Sequence, residues 1–385
     1  MGPYAGNPGA SLDIYEFLTK QKFDILVAQS SYNMRPPSSP SVSLVPLDSF
    51  HLHGKMFTNE FDLRTWNASP IWEKEIMSIG WGHLIDFPMW EAANRKLAGA
   101  MFAKDMGFWY LDMAPGWFNH PKILKDIKEV ANIGKKLTSI KPSQWQSDTA
   151  FIIDDEGMFL RNLPSPEWMF DVSMLVSEQV QLLDLLKNSN RTLIFLSGTG
   201  RLGGAKEGST IEVKVSLKRI ADHNIIAAKG VKFNVMSPWM NKRDIHPKRK
   251  IAWYDPSFIV SGIAEKGDKI LATFRANNEP AIIERQYKNW KAVYIGEPGA
   301  LSSEYLNILV RKANAYALST WGFQCKTNGT FMMVHALINA KTSFKMPLKS
   351  NVINLFNNKV YKNTDTIPID AQAGSTYWFL LEQAQ

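Results

Sequence analysis

Short apolar runs alternate with helical patterns over the first 120 residues of the chain. The runs at 23–28, 54–59 and 107–112 have the length and composition of strands buried in a sheet. Between the second and third runs, residues 90–104 repeat apolar side chains at helical spacing. Strands that alternate with helices predict β/α units around a parallel sheet. Each of the three predicted strands leads into a polar or aromatic loop.

The pattern beyond residue 147 predicts two further domains. A strand at 149–153, a helix at 172–187 and a strand at 192–197 indicate a doubly wound α/β domain over 147–250, which in an alternative division extends to 320. Short strands separated by turn signals then predict a small β-sandwich over 321–385. The predicted fold class is therefore α/β with an all-β end.

Composition agrees with a multidomain globular protein. The 385 residues are 45% hydrophobic and 21% charged, and no apolar run approaches the roughly 18 residues of a membrane span. The net charge of +8 comes from scattered basic residues apart from a cluster over 242–250, which is typical of a solvated linker. We therefore expect neither a membrane nor a nucleic acid as partner. Residues 1–17 have no pattern of a secretory signal, and the compartment stays undetermined.

Metal and cofactor chemistry finds little support in the sequence. Cys325 is the only cysteine, which excludes an internal disulfide and any site built from several cysteines. His51 and His53 would share one face of a strand, but no third ligand lies at a useful spacing. The glycines of 198–204 match a dinucleotide-binding pattern, yet the next helix is better started by Ser209 with Glu212 as a capping box. We predict a flexible loop there, with no metal and no cofactor.

Carboxylates at strand ends are the more informative feature. A glycosidase needs two carboxyl groups on rigid supports, and aromatic side chains that stack on sugars often accompany them. Glu60 and Asp112 lie at predicted strand ends, and aromatic residues make up 12% of the chain. Glu60 and Asp112 could each instead belong to a structural ion pair. Arg64 is the obvious local partner for Glu60, or for the neighbouring Asp62.

Three segments together resemble the last three barrel strands of the retaining (β/α)₈ glycosidase clan. They are FDILVAQSSYNMRPP (23–37), LHGKMFTNEFDLRT (52–65) and GFWYLDMAPGW (107–117). The similarity is greatest to β-galactosidase-like proteins related to glycoside hydrolase family 42. It implies that residues 1–140 are the C-terminal part of a catalytic barrel. The later domains follow the same order: an α/β domain of glutamine-amidotransferase-like shape, then a small β-sandwich.

The resemblance also implies roles for individual residues. The clan's nucleophile, a Glu at the end of the seventh strand, corresponds to Glu60. Lys55 or Arg64 would keep Glu60 ionised, since a nearby cation lowers a carboxyl pKa. The remaining candidates would bind the sugar through polar groups or stacking, and they are Tyr32, Asn33, Arg35, Trp109, Asp112 and Trp117.

Two departures from the family pattern shape the expected function. The nucleophile motif here is Asn59-Glu60 within a longer pattern, where family 42 has a Met-Glu-Gln type. The clan's acid/base Glu follows an Asn on the fourth strand, upstream of this chain, and Asn278-Glu279 lies in the sandwich-like region. We therefore expect the C-terminal portion of a retaining glycosidase for β-linked sugars, partnered by a carbohydrate substrate and by the missing N-terminal half or a second copy of the chain. The alternative is a carbohydrate-binding or structural remnant without catalysis.

Overall fold

A computed structural model provides the structure of the protein. It describes residues 14–30, 35–41, 43, 45–67, 84–112, 116–140, 192–196, 215–218, 225–227, 259–288, 290–296, 308–310, 312–313, 318 and 322–383. These residues form a mixed α/β fold in which the chain divides into two compact units. Each unit is described separately below.

The N-terminal part of the described chain is built from strands and helices in alternation. In chain order they are α1 (Ile14–Lys20), β1 (Ile25–Gln29), α2 (Leu47–Leu52), β2 (Met56–Phe61), α3 (Phe87–Phe102), β3 (Gly107–Tyr110) and α4 (Pro121–Thr138). The three strands form a parallel sheet in the order β1-β2-β3. The predicted strands and the predicted helix at 90–104 are thus confirmed, while α2 and α4 were not predicted.

The two long helices begin at well-formed caps. The side chain of Asp86 accepts a hydrogen bond from the backbone N–H of Met89 at 2.8 Å at the start of α3. His120 accepts from the N–H of Lys122 at 3.3 Å at the start of α4, where Pro121 occupies the first helical position. Such caps satisfy N–H groups that have no partner within the helix, so both starting points are fixed locally.

One face of the parallel sheet packs against helices. Phe57 contacts Phe50 of α2 at a ring separation of 6.0 Å, and Phe61 stacks on Phe108 at 4.6 Å. Phe108 in turn meets Phe102 of α3 at 5.4 Å. These residues alternate along their strands with residues of the opposite face, as the two-residue period of a strand requires. Among the described residues this sheet has three strands, so the eight-stranded closure of a barrel is not formed by them.

An antiparallel sheet belongs to the same unit as the parallel one. Its strands are β11 (Phe323–Thr327), β12 (Phe331–Ala336), β13 (Ala340–Asn354), β14 (Val360–Ala371) and β15 (Thr376–Gln383), in the order β11-β12-β15-β13-β14. Register shifts interrupt the pairing of β13 with β14 between Lys345 and Val352. Residues from both sides of that irregularity, such as Phe344 and Val352, share one buried core. The bulges therefore let one long hairpin contribute to the core along its whole length.

The second unit contains strands that come, along the sequence, after the parallel sheet and before the antiparallel sheet of the first unit. They are β4 (Thr192–Leu196), β5 (Val215–Lys218), β6 (Ile225–Ala227), β7 (Ile259–Gly262), β8 (Lys269–Phe274), β9 (Pro280–Gln286) and β10 (Lys291–Ile295). A mixed sheet runs in the order β4-β10-β9-β8-β6, and β5 pairs with β7. The predicted strand at 192–197 is confirmed as β4. The sequence predicted a helix starting at Ser209. This prediction is wrong for residues 215–218, which form strand β5.

Some sequence predictions lie outside the described residues. These are the strand at 149–153, the helix at 172–187 and the glycine-rich segment 198–204. Within the part of the chain that the structure describes, no helix combines the length and apolar character that crossing a membrane requires.

Candidate active site

Glu60 lies near the C-terminal end of the central strand β2. The strand register places it between Gln29 of β1 and Trp109 of β3. All three side chains occupy the face of the sheet opposite to Phe57 and Phe61, because strand residues alternate between faces. Glu60 is half-buried, and Trp109 is 40% exposed. A carboxylate and an accessible indole ring thus lie side by side at the carboxyl ends of the parallel strands.

On the face that carries Glu60, the side chains nearer the N-terminal ends of β1 and β2 are exposed and mostly apolar. Ile25 is 54% exposed, Val27 48% and Met56 41%. Their register pairs, Ile25 with Met56 and Val27 with Thr58, make them one continuous surface. Parallel sheets in proteins are normally covered on both faces. The face that carries Glu60 is therefore unusual for a parallel sheet.

The carboxyl group of Glu60 has a raised pKa. Burial is the largest cause, and the negative charge of Asp62 raises the pKa further, while the positive charge of Arg35 lowers it. A carboxylate nucleophile must be ionised to attack. Arg35 and Asp62 therefore have opposite effects on the form of Glu60 that such chemistry requires.

Arg35 and Asp62 form a buried ion pair. Arg35 is 0% exposed and Asp62 is 1% exposed. The guanidinium contacts the Asp62 carboxylate through Nη2 and donates through Nη1 to the Asp62 carbonyl at 2.9 Å. Nη2 also donates to the carbonyl of Ser30 at 3.3 Å. The structure thus places the Arg35 guanidinium in the interior, where it joins the ends of β1 and β2.

The two cations expected beside Glu60 lie elsewhere. Lys55 precedes β2, and its ammonium donates to the carbonyl of Phe23 at 2.6 Å, at the opposite end of the strand from Glu60. Arg64 is 7% exposed, and its guanidinium lies 5.7 Å from the ring centre of Trp117. The cation whose charge acts on Glu60 in the structure is Arg35.

The remaining candidates differ in accessibility. Trp117 is only 2% exposed, and its carbonyl accepts a hydrogen bond from the hydroxyl of Thr65. Trp109 and Asp112 are exposed at and just beyond the end of β3. Tyr32 and Asn33 lie outside the described residues. Of the predicted set, the structure brings Glu60 and Trp109 together on one accessible surface.

The two histidines considered for metal binding lie on or beside a helix, and the thiolate of Cys325 is disfavoured. His51 lies in helix α2, and His53 follows that helix, so the strand expected for them is wrong. The ring of His53 bonds the carbonyl of Ser49 at 2.8 Å. Burial raises the pKa of the Cys325 thiol, which disfavours the reactive thiolate. No group of three His, Cys, Asp or Glu side chains within the described ranges is arranged to hold a metal ion.

Several buried polar residues of this unit, outside the face that carries Glu60, were not predicted from the sequence. Tyr110 of β3 donates to Asn94 of α3 at 2.8 Å, and Asn94 donates to Asp126 of α4 at 2.9 Å. Lys96 and His335 are also fully buried. The available signal was the presence of Asn94 and Lys96 inside an apolar helical stripe, which indicates buried partners because unpaired polar groups are costly in a protein interior.

Comparison with solved structures finds distant similarity to β-galactosidases. The chain is 9% identical to the enzyme from Bacillus circulans sp. alkalophilus, with a TM-score of 0.45 over 92% of this chain and 63% of that one. It is 10% identical to the enzyme from the Antarctic haloarchaeon Halorubrum lacusprofundi, with a TM-score of 0.48 over 87% and 66% of the two chains. This chain thus spans just under two thirds of the length of both structures. No protein-family model and no curated protein sequence matches the chain.

Proposed function

We propose that the chain carries the nucleophile side of a retaining β-glycosidase site of β-galactosidase-like type, with Glu60 as the nucleophile. The observation that carries the proposal is the position of Glu60 at the carboxyl end of a parallel strand, on an open face beside Trp109. Catalytic groups of (β/α)₈ enzymes occupy such positions. The sequence resemblance assigns the nucleophile to the same residue.

The chemistry is a double displacement. An oxygen of the Glu60 carboxylate attacks the anomeric carbon while the bond from that carbon to the leaving oxygen breaks, and a carboxylic acid gives its proton to the leaving oxygen. Water then attacks the anomeric carbon of the glycosyl-enzyme ester and gives a proton to the carboxylate left by the acid, which releases the sugar and restores both the Glu60 carboxylate and the acid. Trp109 would stack on the sugar ring, and Asp112, with Tyr32 and Asn33, would bind its hydroxyl groups.

We assign the second carboxyl group, the acid, to residues outside the described sheet. Retaining enzymes hold the two groups about 5 to 5.5 Å apart. Asp62 is buried against Arg35, and Asp112 lies beyond the end of β3. We propose that further parallel strands, from the missing N-terminal half of a barrel or from a second copy of the chain, cover the open face and bring the acid.

The open sheet itself supports this proposal. Strands β1 and β3 are the edges of the three-stranded sheet in the described chain. Unpaired edges are sites of further strand pairing. Added strands would also bury Ile25, Val27 and Met56, which are now exposed. If the native protein has a larger intact mass than 385 residues give, the strands come from an N-terminal half of the same chain. If this chain forms a stable dimer, they come from a second copy.

Covalent labelling tests the nucleophile without requiring the acid. A dinitrophenyl deoxyfluoro-β-galactoside has a leaving group that needs little protonation, and its fluorine slows hydrolysis of the intermediate. We expect a fluorogalactosyl group to accumulate on the peptide that contains Glu60, as measured by peptide mass spectrometry. Glu60→Gln should stay unlabelled, and an excess of galactose should slow the labelling.

The matched control is Glu382→Gln, which changes an exposed carboxylate on β15. This variant should be labelled like the wild type. Labelling of another carboxylate, or equal labelling of Glu60→Gln, would overturn the assignment. A wild-type protein that binds galactose but stays unlabelled would instead favour the carbohydrate-binding remnant.

A further inference from the structure

The turn formed by residues 35–39, hereafter the 35–39 turn, is fastened by a buried lysine. Lys96 of α3 is 0% exposed. Its ammonium donates to the carbonyls of Arg35, Pro36 and Ser39 at 3.2, 2.7 and 2.9 Å. A lysine has three N–H donors, so these three carbonyls are enough to use all of them. Lys96 thereby fixes both ends of the turn to helix α3.

A buried histidine holds the middle of the same turn from the other side. His335 of β12 is 0% exposed, and its Nε2 lies 2.7 Å from the carbonyl oxygen of Pro37. A carbonyl can only accept, so Nε2 carries the proton, and Nδ1 accepts from the Thr376 hydroxyl at 2.9 Å. Both ring nitrogens of the neutral imidazole are thus satisfied. The antiparallel sheet and α3 together determine where the 35–39 turn lies.

The turn begins with Arg35, and Arg35 connects it to β2. The guanidinium bonds both the side chain and the carbonyl of Asp62. Asp62 lies two residues beyond Glu60. The charged groups that act on Glu60 are Asp62 from its own strand end and Arg35 from the turn, while its neighbours across the sheet, Gln29 and Trp109, are neutral. A displacement of Arg35 would therefore change the balance of charge at Glu60.

We propose that Lys96 and His335 are positioning residues for Glu60, and that they act by holding the 35–39 turn so that Arg35 stays on Asp62. This inference rests on the proposed role of Glu60 and adds a control of that group by two residues that do not touch the sugar. His335 lies on β12, 275 positions along the chain from Glu60. The antiparallel sheet thus becomes part of the machinery that prepares the nucleophile.

The test measures the ionisation of Glu60 directly. The carboxyl carbons of glutamate are labelled with ¹³C, and the Glu60 signal is assigned by its loss in Glu60→Gln. Lys96→Met and His335→Leu each remove the hydrogen bonds that the replaced side chain donates to the turn. Arg35 should then lie less firmly on Asp62, and its positive charge should offset the charge of Asp62 at Glu60 less well. We expect the pKa of Glu60 to rise by about half a unit or more in both variants. His335→Gln, which keeps an N–H donor for Pro37, should restore most of the wild-type value.

The matched control is Val334→Ala, because Val334 precedes His335 on β12 but lies in the core cluster of the antiparallel sheet. It should lower stability without moving the pKa of Glu60. If Lys96→Met and His335→Leu do not fold, Thr376→Val replaces them in the experiment. This variant removes the hydroxyl group that bonds the His335 ring. An unchanged pKa of Glu60 in the folded variants would overturn the proposal.

This readout is independent of sugar chemistry. A shift of the Glu60 pKa without fluorogalactosyl labelling would support the positioning role and overturn the hydrolase. Labelling of Glu60 without a shift would do the reverse.

Discussion

His335 and Lys96 are buried polar residues that bond the backbone of the 35–39 turn. Burial is the largest cause that lowers the pKa of each, and the charge of Lys96 further lowers that of His335. Each is retained in the interior because hydrogen-bond acceptors of the chain satisfy its donors. Replacement of either by an apolar residue would leave carbonyl oxygens of the 35–39 turn without these donors. Their removal should therefore affect the turn first.

The pH dependence of stability should report on His335. Its pKa is lowered to about 3 in the folded protein, from 6.5 for an unperturbed side chain. The unfolded chain therefore binds a proton that the folded protein does not, and stability should fall as the pH drops below about 6.5, by at most about 1.4 kcal/mol per pH unit from this group. Urea unfolding of wild type and His335→Gln over about pH 4.5 to 7 should show a shallower slope for the variant.

The control for this measurement is again Val334→Ala. It should lower the unfolding free energy by the same amount at every pH, because no titrating group is changed. Parallel curves for wild type and His335→Gln would show that the imidazole does not contribute to the slope.

At the scale of single residues, the sequence predicted that Glu60 and Trp109 lie on strands of one sheet, and it did not predict the surroundings of the other candidates. A charged residue at a strand end is visible in the pattern, and strand register then brings the two together. The burial of Arg35 and Trp117 depends on contacts with distant segments, such as Asp62 and Thr65, which no local pattern contains. The position of Lys55 beside Phe23 is likewise set by the way β1 and β2 align.

At the scale of elements, α3 is the connection between the two sheets of its unit. Trp378 of β15 donates from its indole nitrogen to the carbonyl of Arg95 at 3.1 Å. The same ring approaches Phe102 of α3 at 5.5 Å. Gly99 lies directly beneath this contact. The helix can come this close because no side chain projects from that position.

Gly99→Ala should therefore destabilise the protein. Helix propensity alone predicts a gain of up to about 1 kcal/mol from this change. A methyl group at Gly99 would, however, lie 2.9 Å from Cγ of Met333 and would collide with the Trp378 ring. We expect a net loss of about 1 to 3 kcal/mol, measured by urea unfolding.

Ala131→Gly calibrates the propensity contribution in this experiment, since Ala131 is exposed on α4. A gain in stability from Gly99→Ala, equal to the loss from Ala131→Gly, would show that the helix and the sheet do not meet as the structure has them.

Periodicity predicted elements well where local sequence dominates. β1, β2, β3 and α3 were all predicted, because their apolar positions follow the strand or helix period. The full length of β13 was not, since its second half pairs with β15 and its first half only with β14, across register shifts. The strand β5 was mistaken for a helix because a capping box is a local signal that pairing with β7 outweighs.

At the scale of the whole molecule, two features of the first unit bear on the proposed function. The parallel sheet has an open face around Glu60, and the antiparallel sheet reaches the 35–39 turn through His335. In the proposed function, additional strands cover the open face, while the contact of His335 with Pro37 holds the 35–39 turn in place. In the proposed function, Glu60 acts as a nucleophile without an available acid beside it among the described residues, and such a site has a specific kinetic signature.

That signature is a dependence on the leaving group. General acid catalysis contributes about 10² to 10⁴-fold, and it matters most when the leaving oxygen is poor. We therefore expect the 385-residue chain to show little or no turnover of lactose. A dinitrophenyl β-galactoside should give slow release of dinitrophenol, which Glu60→Gln abolishes and Glu382→Gln leaves unchanged.

On the proposal that upstream strands carry the acid, a longer chain that contains them should hydrolyse both substrates, because it would supply the acid together with the cover for the open face. The comparison of wild type, Glu60→Gln and the extended chain on both substrates separates the two halves of the proposal. Rapid hydrolysis of lactose by the short chain would show that the acid is already present. The same rapid hydrolysis by Glu60→Gln would also remove Glu60 from the role of nucleophile.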